Sequence, residues 1–154
     1  MKKFLLGIVM ALFSVLAFGA DDYHIGVVSG TVSQSEDTLR GCEEVIKIYG
    51  DVEKGGIVRH ITYPDNFMQE QETVIAQIVS LADDPKMKII IMGEAIPGTV
   101  EAFRRIREKR PEILLIANTP HEDPEIIAEA ADLSTHPDSV ARGYLMILAA
   151  KNGR

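Results

Sequence analysis

Beyond residue 20 the chain alternates between short, almost wholly apolar runs and stretches where apolar residues return every three or four positions. Residues 23–29 form a β-branched run that stops at Gly30 and predict a first strand. Ser33 and Glu36 stand at capping-box spacing. Leu39, Cys42, Val45, Ile46 and Tyr49 then share one helical face, and Gly50 supplies the stop. Residues 57–63 predict a second strand that is only partly apolar, with Arg59 and His60 in its middle. Asn66 and Gln69 are candidate caps for a second helix whose apolar face is Phe67, Val74, Ile75, Ile78 and Ala82. Residues 88–92 and 113–117 are apolar enough to be central parallel strands covered on both faces. Between them, Thr99 opens a third helix through Val100, Phe103 and Ile106 that Pro111 ends. A fourth helix over 124–131, a weak fifth strand near Leu133 and a last helix over 139–152 complete the pattern.

Strands separated by helices imply a parallel sheet with right-handed crossovers. The third and fourth strands belong in its middle, and the more polar second and fifth at its edges. The expected fold is therefore α/β, a three-layer sandwich around a five-stranded parallel sheet in the order 2-1-3-4-5, the flavodoxin-like arrangement. Its switch point lies between strands one and three, so a ligand would meet the loops 29–34 and 93–98, flanked by 64–67 and 118–122.

The first residues carry a different pattern. Met1-Lys2-Lys3 is followed by about 15 apolar residues, short of the ~20 that span a bilayer, with small side chains at Ala17, Gly19 and Ala20. This reads as a secretory signal over 1–19, with one α/β domain over 20–154 and a periplasmic or secreted location. An uncleaved anchor is the alternative. Removing Lys2 and Lys3 with the leader takes the formal charge from −7 to −9. So acidic a domain is not expected to bind nucleic acid, nor to stay in a membrane once the signal is gone. One cysteine excludes a disulfide framework within the chain and a multi-cysteine zinc site.

Chemical motifs are sparse. His121-Glu-Asp-Pro-Glu125 lacks the second histidine of a zinc helix, and a loop with Asp123 as helix cap is the simpler reading. Cys42 lies on an apolar stripe and reads as a buried thiol. The loop 30–35 sits where phosphate loops sit but has neither the lysine nor the glycine pattern of one. Neither metal nor cofactor is expected, and no catalytic residue. The candidate ligand-binding residues are Ser29, Thr31, Ser33, Gln34, Asp65, Asn66, Glu94, Asn118 and His121, which offer hydroxyls, amides and carboxylates at the strand ends. Ser33, Asp65, Asn66 and Glu94 have helix capping as the competing role. Arg104, Arg105, Arg107, Lys109 and Arg110 read as a solvated basic face of the third helix.

The strand from His24 to Thr31, in an exported α/β chain, resembles the N-terminal lobe of a type I periplasmic binding protein. Residues 28–36, 62–72, 106–111, 118–124 and 141–144 resemble, more narrowly, an uncharacterised bacterial family, a domain of unknown function with the binding-protein fold. The resemblance implies solute binding without catalysis. The expected partners are a small polar molecule held between two lobes and a membrane transporter. It assigns no site residue. It also implies a second lobe, which these 154 residues do not include, and a final helix that feeds a further strand. The alternatives are a small exported enzyme, a flavodoxin-like cofactor protein or a protein-interaction module.

Overall fold

The computed structural model describes residues 23–152, so the signal segment expected over 1–19 lies outside the described residues. The strands are β1 (His24–Ser29), β2 (Val58–Thr62), β3 (Met87–Met92), β4 (Leu114–Asn118) and β5 (Leu133–Thr135). They form one parallel sheet in the order β2-β1-β3-β4-β5, as the apolar runs predict. The helices are α1 (Val32–Tyr49), α2 (Gln71–Ser80), α3 (Thr99–Lys109), α4 (Pro124–Ala130) and α5 (Ser139–Asn152), with short 3-10 turns at Val52–Lys54 and Leu81–Asp83. Among the described residues, no helix is long and apolar enough to cross a membrane.

Strand direction decides which face each helix covers. The chain steps from β1 one way to β2, then the other way through β3, β4 and β5. With right-handed crossovers this sends α1 to one face and α2, α3 and α4 to the other. The main core lies under the second group, where Val28, Ile90, Met92, Leu115 and Ala117 of the strands meet Ile78, Phe103, Ile106 and Ile127 of the helices. A smaller cluster of Val27, Cys42 and Val58 lies under α1.

Three local expectations need correction. Ser33 and Glu36 do not form a capping box. Thr31 stands at the N-cap, the Ser33 hydroxyl meets the Thr31 hydroxyl at 2.9 Å, and Glu36 pairs with Arg40. The regular part of α1 begins only after Ser35, whose backbone (φ −157°, ψ 84°) breaks the helix. Asn66 and Gln69 cap no helix either, because residues 66–69 make a separate turn and α2 starts at Gln71. The basic residues of α3 are only in part a solvated face. Arg110 donates to the carbonyls of Ala82, Asp84, Pro85 and Met87, and Arg107 to those of Pro111 and Ile113 and to Asp132 at 2.7 Å. These two guanidiniums tie loops at the amino-terminal ends of β3, β4 and β5, where several carbonyls have no strand partner and a forked donor satisfies more than one.

The expectation that both faces of β3 and β4 are covered holds for one face. On the α1 side Leu114 is 42% exposed and Leu133 51%, because α1 reaches only β1, β2 and part of β3.

Phe103, fully buried where α3 meets the sheet, is the clearest test of the covered core. Phe103→Ala is expected to destabilise the fold by about 3–5 kcal/mol in chemical denaturation, through lost burial and the cavity left behind. A loss below about 1 kcal/mol would mean that this face is not the core.

Candidate functional site

The loops leaving β1, β2 and β3 meet at the carboxyl edge of the sheet, where the chain reverses its direction of travel. Two polar clusters are built there. In the outer one, Thr31 donates to the carboxylate of Asp65 and shares a hydrogen bond with Ser33, while the Gln34 amide donates to the Asp65 carbonyl at 2.5 Å. Hydrogen bonds from Thr31 and Ser33 hold the Asp65 carboxyl below the usual carboxylate range. The other side chains of this cluster are exposed and Thr31 is half-buried, so their remaining hydrogen-bonding capacity faces water.

The inner cluster centres on Glu94, just beyond β3. Its Oε1 accepts from Ser35 at 2.7 Å and from Thr38 at 3.2 Å, and its Oε2 accepts from Tyr63 at 3.3 Å. Burial, and then the neighbouring Glu94 charge, push the Tyr63 phenol up, so it stays protonated and a donor. A half-buried carboxylate is costly unless its lone pairs are filled, and here three hydroxyls fill them. Two glycines make the approach possible. A Cβ on Gly93 would come within 2.5 Å of the Thr38 methyl, and one on Gly30 within 2.9 Å of the Tyr63 oxygen.

The break at Ser35 now has a structural reason. It turns the Ser35 hydroxyl inward, toward Glu94, Thr38 and Asp37, and away from the helix ladder. Sequence reasoning does not single out Ser35, Thr38, Tyr63 or His60. The available signal is that Ser35 and Thr38 are three apart, hence on one face of the first turn.

The other expected residues divide. Ser29 is fully buried, with its hydroxyl 2.8 Å from Nε2 of His60 and donating to the Gly30 carbonyl, so it does not open on the mouth. Asn66 turns away to Glu70. Asn118 accepts from Thr135 at 2.6 Å, and His121 is exposed on the β4 side. The loop between them carries a strained residue, since Thr119, β-branched, holds φ at +43°. Glu122 has another task. Its two oxygens accept from the backbone N–H groups of Gly98 (3.2 Å) and Val100 (3.1 Å), capping α3 from a neighbouring loop. Among the described residues no three His, Cys, Asp or Glu side chains gather as a metal site. Asp123 caps α4, as its position before Pro124 predicts. Cys42 is buried and its thiol pushed up by burial, with a Ser29 hydrogen bond opposing. A groove of about 630 Å³ lies between α2 and α3, on the far side of the molecule from this chemistry.

Residues 23–153 match the family described as "Protein of unknown function (DUF3798)", and the chain belongs to that family. It is 40% identical over 133 residues to an uncharacterized protein of Treponema pallidum (strain Nichols), covering 85% of this chain and 60% of that one. A second uncharacterized Treponema pallidum (strain Nichols) match is 39% identical over 67 residues, covering 44% of this chain and 31% of the other. The chain thus spans 60% or less of the length of these relatives. Among solved structures it is similar to one from Clostridium difficile 630 described as a "Putative transcriptional regulator", with a TM-score of 0.72 and 26% identity. That match covers 87% of this chain and 39% of the other. Membership of a family of unknown function, which the resemblance implies, is therefore shown, and so is the flavodoxin-like fold.

The half-buried His60, in contact with Ser29, generates a prediction about pH. Burial pushes the His60 imidazole below its ordinary 6.5, and the nearby Glu43 and Asp51 charges only partly oppose this. The unfolded chain therefore takes up a proton more readily than the folded one. The stability this costs is absent above pH 6.5 and grows as pH falls below it. Melting temperature is expected to drop between about pH 7 and pH 5, with a shallower drop in His60→Gln. Parallel curves for the two proteins would show that His60 is not the group responsible.

Proposed function

We propose that this chain is an exported, non-catalytic solute-binding domain that takes a small polar molecule at the carboxyl ends of β1 and β3. Delivery to a membrane transporter is the accompanying role. The observation that carries the reading is Glu94: a carboxylate set half-buried at the switch point and oriented by three hydroxyls. Open α/β sheets place ligands at this position. Beside it, the Thr31–Asp65 cluster offers exposed acceptors and donors without an activated nucleophile.

The electrostatics narrow the solute. Residues 29–38, 62–72, 93–101 and 118–125 surround the strand ends and include no lysine or arginine, while Asp65, Glu94 and their neighbours supply negative charge. An anion would meet repulsion and no cationic partner. A neutral polyhydroxylated molecule or an amine fits the donors and acceptors present. One wall of a crevice leaves much of a ligand exposed, so binding by this chain alone is expected to be weak, and the longer relatives are consistent with a second wall.

A second reading, the ligand-sensing part of a regulator, draws support from the likeness to the Clostridium difficile protein. It predicts the same crevice and differs in location, so recovery of the chain from the exported fraction of its host separates the two.

Thermal melts against a panel of neutral, amine-bearing and anionic solutes test the binding reading. A bound solute at 100 times its dissociation constant should add about 2.7 kcal/mol of stability. The expected result is a rise in melting temperature with a neutral or amine-bearing solute, reduced at least tenfold in apparent affinity by Asp65→Ala. No shift from any solute, or shifts from anions alone, would sink it.

A further inference from the structure

Tyr63 stands just beyond β2, at the carboxyl edge of the sheet, yet only 2% of it is exposed. Two turns outside the regular ladder pack against it. In residues 31–34, Gln34 meets the phenol over Gly30, where a Cβ would come within 2.9 Å of both. In residues 64–69, the Phe67 ring stands edge-on to the Tyr63 ring at 5.4 Å. The Tyr63 hydroxyl donates to Glu94, so these turns cover one of the three donors of the inner cluster.

Neither turn is fastened to the sheet by its own backbone. Among the described residues, and apart from the ladder of α1 itself, the backbone bonds of 31–35 run from Gln34 and Ser35 to Thr31. Those of 64–69 stay within residues 64–70. Side chains seat the turns instead: Phe67 packs on the core and Ser35 reaches Glu94. The first turn is also bounded by Gly30 and by Ser35, where the helix breaks. Such positions at the ends of elements are where hinges form.

One residue joins the two turns. Asp65 takes the Thr31 hydroxyl on its carboxylate and the Gln34 amide on its backbone carbonyl. Both bonds are exposed and compete with water, so they open at lower cost than the core beneath them. We infer that residues 31–34 and 64–69 form one hinged flap, latched at Asp65, that opens and closes over Tyr63, the phenol that helps to hold Glu94. The purpose of the flap, admission of a solute, rests on the solute-binding reading. The latch itself is tested without solute, so the two fail separately.

Amide hydrogen exchange on the whole chain is that test. The reporters are the hydrogen-bonded amides of Gln34, Ser35, Phe67 and Gln69. In wild type they are expected to share one degree of protection, below that of α1 beyond residue 38. Asp65→Ala is expected to speed exchange at Gln34 and Ser35 about fivefold or more, and Thr31→Val to do the same at Phe67 and Gln69. Each response lies in the turn that does not carry the substitution. Thr31 makes no side-chain capping bond, so Thr31→Val leaves the cap of α1 as it is. Residues 39–49 and 71–80 are expected to keep their wild-type exchange in both variants. Hydroxyl-radical labelling of Tyr63 reads the cover directly and should rise about threefold or more in each variant. Substitutions that loosen only their own turn overturn the proposal, as does loosening that spreads through all of α1. Wild-type reporters without protection, or Tyr63 labelling that neither variant raises, overturn it equally.

Discussion

A parallel sheet gives each of its central strands two apolar faces, and both have to be kept from water. Most of this molecule follows from how that requirement is met. Beneath α2, α3 and α4 it is met completely: Ile90, Met92, Leu115 and Ala117 have no measurable exposure. On the other face one helix is packed among the described residues, and it is tied by the chain to β1 and β2. The direction reversal after β2 that fills one face is therefore also what leaves β4 and β5 open on the other. The same reversal separates the loops after β1 and β3, and the polar site occupies that gap. The site and the open face have one topological origin.

The chemistry of the gap depends on satisfying Glu94. A carboxylate at that depth requires donors, and the chain supplies them from three elements: Ser35 and Thr38 from α1, and Tyr63 from the end of β2. Each has a structural cost elsewhere. Ser35 leaves helical geometry, and residues 30 and 93 have to be glycine because a Cβ at either would strike the hydroxyl-bearing neighbours. Glu122 shows the same economy across loops, capping α3 in place of a side chain at Gly98, whose φ of +99° favours a residue without one. Capping by Glu122 leaves Glu94 free of that duty, and its oxygens accept from Ser35, Thr38 and Tyr63.

The parts of the fold legible in the sequence are those set by local pattern. Strand identities, their order and the α4 cap come from apolar run length, from the polar interruptions at Arg59 and His60, and from Asp123 standing before Pro124. The sequence misleads where two local solutions compete. Ser33 and Glu36 match a capping box, but Asp65, thirty residues on, engages Thr31 and Gln34 and holds the turn differently. Asn66 has the composition of a cap, yet it lies in a self-contained turn, with α2 opening only beyond Glu70. The donors to Glu94 are invisible in one dimension because they come from positions 31 to 59 residues away. The position of Ser29 at the strand end predicts a place at the mouth, but side-chain alternation aims it at His60.

The continuous apolar runs of β3 and β4 are instructive in the same way. Their composition fits strands covered on both faces, whereas among the described residues the first four helices cover only one face of β4 and β5. Leu114 and Leu133 would be poor choices for a face that stays in water, and Tyr144, Leu145, Met146 and Ile147 equally poor ones for a helix that stays free. Scattered exposed leucines carry no message, because every protein surface has some. Here the residues are contiguous on the sheet, fixed in register by backbone pairing, and matched by a helix of the same character in the same chain. A contiguous apolar surface of this kind is more stable covered than solvated.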